Sequence, residues 1–140
     1  MKKYLTAAAL LIFSFITKAQ KIGDSKILVK VSDTSDLYHR VKLAIIKNGY
    51  IVQDDENKTI LTSNVIVKKH LGYTRVKAQI NGDTVIVKGF YALKNQNLFD
   101  IEIGPGKYNK MMYYNERNFG WYILYGIATD IDADNLSYSK

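Results

Sequence analysis

Two alternating runs meet at Asn81-Gly82, and no other stretch narrows the fold as tightly. This dipeptide tolerates the positive φ angles of a type I′ turn, so the chain is expected to reverse there as a β-hairpin. With those two residues as the turn, Ile80 pairs with Asp83, Ala78 with Val85 and Val76 with Val87. Val76, Ala78, Val85 and Val87 then share one face, and Arg75, Lys77, Ile86 and Lys88 the other. Both strands agree on which face is dry. One face of this sheet packs against something and the other meets water.

The flanking segments extend the pattern. Lys26 to Val31 is a short β-branched run and reads as a first strand. Asp33-Thr-Ser-Asp36 offers oxygen acceptors to the free N–H groups of a helix start. Leu37, Val41, Ala44 and Ile45 follow at spacings of three and four, on one helical face, and Asn48-Gly49 supplies a left-handed stop. Tyr50 to Gln53 reads as a brief strand, Asp54 to Lys58 as a charged turn, and Thr59 to Val67 as a longer strand. Beyond the hairpin, Leu98 to Ile103 alternates again and ends at Gly104-Pro-Gly106. Residues 107–114 fit either a loop or an edge strand. A second helix is expected from about Glu116 to Ile131, burying Trp121, Leu124, Ala128 and Ile131.

The expected class is therefore α+β: an antiparallel sheet of about five or six strands, two helices on one face, in the order β-α-β-β-β-β-β-α. With 140 residues and no linker, repeat or low-complexity tract, one domain is expected over 20–140.

Residues 1–19, MKKYLTAAALLIFSFITKA, read as a signal peptide cut after Ala19. Lys2 and Lys3 form a basic head, Tyr4 to Ile16 an apolar core, and Thr17 and Ala19 the small residues before the cut. The apolar run is too short to span a bilayer, which takes about 20 residues. This leader holds three of the 20 Lys+Arg and none of the 13 Asp+Glu. Without it the charge falls from +7 to +4, so part of the basic character belongs to the leader and speaks for no nucleic-acid partner. The chain has no cysteine, which removes disulfides, thiolate catalysis and thiolate-held metals together. A periplasmic or secreted location is expected, with no membrane-spanning segment once the leader is gone.

The element order, with DLYHRVKLAIIKNGY at 36–50 and DDENKTILT at 54–62, resembles the TATA-binding-protein-like or helix-grip domains of exported bacterial envelope proteins. The layout is similar over most of the mature chain, and the specific stretch is about residues 26–67. Small secreted families of unknown function are the nearer likeness, and they carry no catalytic motif to transfer. The domains of outer-membrane assembly lipoprotein C are more distant. This chain departs from them in having a single domain and no lipidated cysteine.

Catalytic and metal constellations are weak. Asp130-Ile-Asp-Ala-Asp134-Asn135 has the alternating acids of a calcium loop, but Asn135 stands where glycine is needed and the bidentate glutamate would fall past Lys140. Asp54, Asp55 and Glu56 read as solvated neighbours, with nothing to tune a carboxylate pair. His39 and His70 have no partner in a nucleophile motif. No catalytic residue, metal or cofactor is expected.

Two surfaces remain as binding candidates. The first is the outward face of the hairpin, where Arg75, Lys77 and Lys88 lie near Ile86 and Phe90. Cations beside apolar side chains suit an anionic partner, while lysines on such a face also guard against aggregation. The second is the aromatic stretch around Tyr113 and Tyr114, neighbours that point opposite ways if extended. The expected function is an exported, non-catalytic binding module of the bacterial cell envelope. Its partner would be an envelope protein or an anionic glycan or lipid. Alternatives are a secreted inhibitor presenting the Lys68 to Tyr73 loop, and a hydrolase with a scattered carboxylate and tyrosine site.

Overall fold

The hairpin organises the sheet. In the computed structural model, which describes residues 19–56, 59–62, 65–66, 73–92, 109–114 and 119–140, strands β5 (Tyr73–Asn81) and β6 (Thr84–Ala92) pair antiparallel along their whole length. The turn is Gly82-Asp83 rather than Asn81-Gly82. Gly82 takes φ +61 and Asp83 stays at negative φ, the pattern of a type II′ turn with glycine at its first central position. Ile80 thus faces Val85, Ala78 faces Val87 and Val76 faces Gly89, which corrects the expected register. The slip is an even number of residues, so every side chain keeps its expected face. Val76, Ala78, Val85 and Val87 are all fully buried.

The other strands are β1 (Lys26–Lys30), β2 (Val52–Glu56), β3 (Thr59–Thr62), β4 (Val65–Ile66), β7 (Asn109–Lys110) and β8 (Leu136–Ser139). Across its width the sheet runs β2-β3-β5-β6-β1-β8, and every pairing is antiparallel. β4 prolongs β3 along the same edge of β5, and β7 lies beyond β1 along β6. Helices α1 (Leu37–Lys47) and α2 (Phe119–Ile131) pack on one face, where Ile27, Val29, Val41, Ile45, Val76, Val87, Leu124 and Ile127 build a single core. This is the expected α+β class.

Several local expectations are corrected. Asp54, Asp55 and Glu56 belong to strand β2 and not to a turn, and β2 takes an irregularity between Val52 and Asp54. The expected long strand 59–67 is two pieces. Thr59 to Leu61 pair with β5 in one register and Val65 to Ile66 in a register one residue displaced. At that step the Thr62 hydroxyl accepts the Val76 N–H at 2.9 Å, replacing the ladder carbonyl that β3 no longer offers. Strand β8, absent from the expected order, follows α2 and pairs Leu136 to Ser139 with β1. The expected strand 98–103, its Gly-Pro-Gly stop, His70 and most of the leader lie outside the described residues.

The start of α1 is also unlike its expectation. Asp36 adopts a left-handed φ of 52 and its side chain caps nothing. Asp33 spends its carboxylate on the Ser35 N–H and hydroxyl, at 2.8 and 2.6 Å. Those bonds hold its pKa below the ordinary carboxylate value. At the other end Gly49 takes φ +87, as a left-handed stop requires. Asn48 bonds both the Ala44 carbonyl and Asp130 of α2 at 2.8 Å, and Lys47 reaches the same Asp130 at 2.5 Å. The helices are locked together at this corner.

Candidate functional site

The basic candidates stand on the sheet face away from the helices, and register decides which of them meet. Lys88 on β6 is directly opposite Lys77 on β5 and, on its other side, directly opposite Lys26 on β1. Three lysines therefore form one straight row across three adjacent strands. Strand spacing of about 4.8 Å sets the separation of their stems. The row ends in Leu61 on β3 and Ser139 on β8. One neighbouring row reads Thr59, Gln79, Ile86, Leu28 and Ser137, and the other reads Arg75, Phe90 and Lys110.

Like charges directly opposite each other in a sheet are destabilising. The Lys88 ammonium registers this: partial burial lowers its proton affinity first, and Lys26, Lys77 and Lys110 lower it further. Among the described residues no carboxylate stands within ion-pair distance of these four lysines, and the described ion pairs, Lys30–Asp83 and Lys47–Asp130, lie elsewhere. The row is a concentrated positive surface with an apolar floor. Leu28, Ile86 and Phe90 are half-buried between the cations.

Arg75, one of the expected binding residues, has structural work in addition. Its Nε donates to the Thr62 carbonyl at 3.2 Å and its guanidinium meets the Gln53 side chain at 3.4 Å. It pins the step between β3 and β4 from the cationic face while Thr62 pins it from the helix side. Lys77, Lys88 and Phe90 are brought together as expected. Lys26 and Lys110 were not singled out in the sequence, because their proximity depends on pairings of β1 and β7 with β6.

Tyr113 does not join this surface. Met111, two residues earlier, donates its N–H to the Gly89 carbonyl and is buried beneath α2. The Tyr113 backbone is stitched to Gly23 and Asp24 at 2.9 and 2.8 Å, and its ring meets Trp121 edge-on at 5.7 Å. Trp121 in turn meets Tyr138 at 6.1 Å. Tyr113 thus belongs to aromatic packing at the helix side, whereas Tyr114 is 54 % exposed. Burial raises the Tyr138 phenol above its ordinary value, and a hydrogen bond with Gln20 opposes that shift.

Among the described residues no group of three His, Cys, Asp or Glu side chains is placed to hold a metal ion. No described helix is long and apolar enough to cross a membrane. His39 is exposed on α1. Chemically, the cationic face offers charge attraction and apolar contact. No protein family, curated protein or solved structure matches the chain.

Proposed function

We propose that this protein is an exported, non-catalytic binding module of the bacterial cell envelope that recognises an anionic partner through the sheet face away from its helices. The observation that carries the reading is the cross-strand row Lys26–Lys88–Lys77. It costs stability in the free protein and is relieved by a ligand of opposite charge. The leader-like first 19 residues support export. Rigid strands hold the cations, so little ordering accompanies binding.

The test is a cross-linked capture from the native envelope fraction with the wild-type chain and Lys77→Gln/Lys88→Gln side by side. One component is expected to be held by the wild type, released by raised salt and lost with the double variant. Mass spectrometry of the chain recovered from that fraction should show Gln20 at its N-terminus. Capture that is indifferent to the double variant overturns the role of the face, and a cytoplasmic chain with its leader intact overturns the export.

A further inference from the structure

We propose that the row Lys26–Lys88–Lys77 is the bed for an acidic polysaccharide chain that lies across the strands and places successive carboxylates on successive lysines. The inference rests on the anion-binding reading above and names its ligand class.

Three features of the face favour a glycan over other polyanions. The first is spacing. The three lysines are consecutive cross-strand partners, so their stems repeat at roughly 4.8 Å along a line. A glycan with one carboxylate per sugar ring advances by a comparable length per ring, and the flexible four-carbon lysine stems can reach carboxylates that turn about its axis. The second is the apolar floor. Ile86 and Leu28 line one side of the row and Phe90 the other, with Leu61 at one end. The C–H face of a sugar ring can rest on such side chains, and phenyl is suited to that stacking. A bare polyphosphate has no apolar face to offer them. The third is the polar margin. Gln79, Thr59, Ser137 and Ser139 occupy the same face, within one row of the lysines, and can exchange hydrogen bonds with sugar hydroxyls.

Two other anionic partners fit less well. Membrane docking needs apolar side chains that stand out beyond the charges. Here they are half-buried between lysines in mid-sheet. An acidic peptide laid across a sheet face brings backbone N–H and C=O groups that the face cannot satisfy, because its own ladder bonds are already made. The lysine chemistry agrees with the glycan. Ammonium is a point charge suited to a single carboxylate, whereas the bidentate guanidinium of Arg75 is engaged with Thr62 and Gln53.

The test titrates the full exported chain with hexagalacturonate, a six-sugar polyuronate, and with five comparison probes: its methyl ester, digalacturonate, sodium polyphosphate, phosphatidylglycerol vesicles and polyglutamate. Hexagalacturonate is expected to bind with strong salt dependence. The methyl ester and digalacturonate should each bind at least about tenfold more weakly, because they lose charge contacts. Lys77→Gln/Lys88→Gln should lose roughly tenfold or more in affinity while melting no lower than wild type. Lys42→Gln/Lys47→Gln removes the same charge from α1, gives up the Lys47–Asp130 ion pair there, and should bind as the wild type does wherever it is folded. Phe90→Ala should weaken binding severalfold with its salt dependence intact. If polyphosphate, vesicles or polyglutamate bind and hexagalacturonate does not, the glycan is overturned and the anion-binding face survives. If none of the anions binds, both fall.

Discussion

Two neighbours on β1, Ile27 and Leu28, show how differently the two faces of this sheet are built. Ile27 is fully buried beneath α2 and pairs with Val87 and Tyr138, inside the apolar core. Leu28, one residue on, is half-buried between Ile86 and Ser137, one row away from three facing lysines. The helix face is arranged so that each contact lowers the free energy of the folded chain. The other face keeps cations side by side against that interest. Stability accounts for the first arrangement; the second is what the proposed anionic partner would explain.

The comparison breaks most sharply at its deepest point. Ile27→Ala is expected to cost about 2–5 kcal/mol in urea unfolding, since a cavity opens in a packed core. Leu28→Ala should cost no more than about 1 kcal/mol, because less of its surface leaves water on folding. Equal losses at the two positions would mean that the faces are not energetically distinct.

A smaller effect follows at Gly89. A Cβ there would press on the Met111 sulfur and stand 2.9 Å from both terminal carbons of Leu124. Gly89→Ala should therefore destabilise by about 1–3 kcal/mol through overpacking. The same strand carries Lys88 on its other side, so this change probes how closely α2 and β7 are seated without touching the cations.

The smallest effect has the opposite sign. Lys88→Gln removes the central charge of the row and should stabilise the free protein by roughly 0.2–1 kcal/mol at neutral pH. Its pH dependence sharpens the point. Lys88 holds its proton less firmly when folded than its unfolded reference of 10.5. Between the lowered folded value and 10.5 the unfolded chain binds more protons, so stability rises with pH across that window. Denaturation midpoints compared between wild type and Lys88→Gln should converge as the pH climbs through it. An anionic ligand reverses the shift, so binding should take up protons near the top of the same window.

Much of this contrast was legible from residue order alone. The apolar and cationic sides of 73–92 follow from period-two alternation, and the error in the turn left them untouched. Asn-Gly and Gly-Asp both provide a glycine for positive φ, and local sequence does not decide between the two turn types. Helix α1 was readable from the spacing of Leu37, Val41, Ala44 and Ile45. Strand β8 was not, because Leu-Ser-Tyr-Ser has only one strongly apolar residue and draws its ladder bonds from a strand more than a hundred residues earlier. Lys26 was missed for the same physical reason. A row of charges assembled from β1, β5 and β6 exists only once distant segments have paired, and no window along the chain contains it.

The position of β1 has a consequence for how the molecule comes into being. The first strand lies between β6 and β8, so neither of its neighbours exists when it leaves the ribosome. The N–H of Ser25 bonds the carbonyl of Ser139 at 2.8 Å, just beyond the β1–β8 ladder. The pairing of β1 with β8 therefore waits for a segment made more than a hundred residues later, and contacts of that sequence separation form slowly. Until β8 has been made, β1 keeps one edge unpaired.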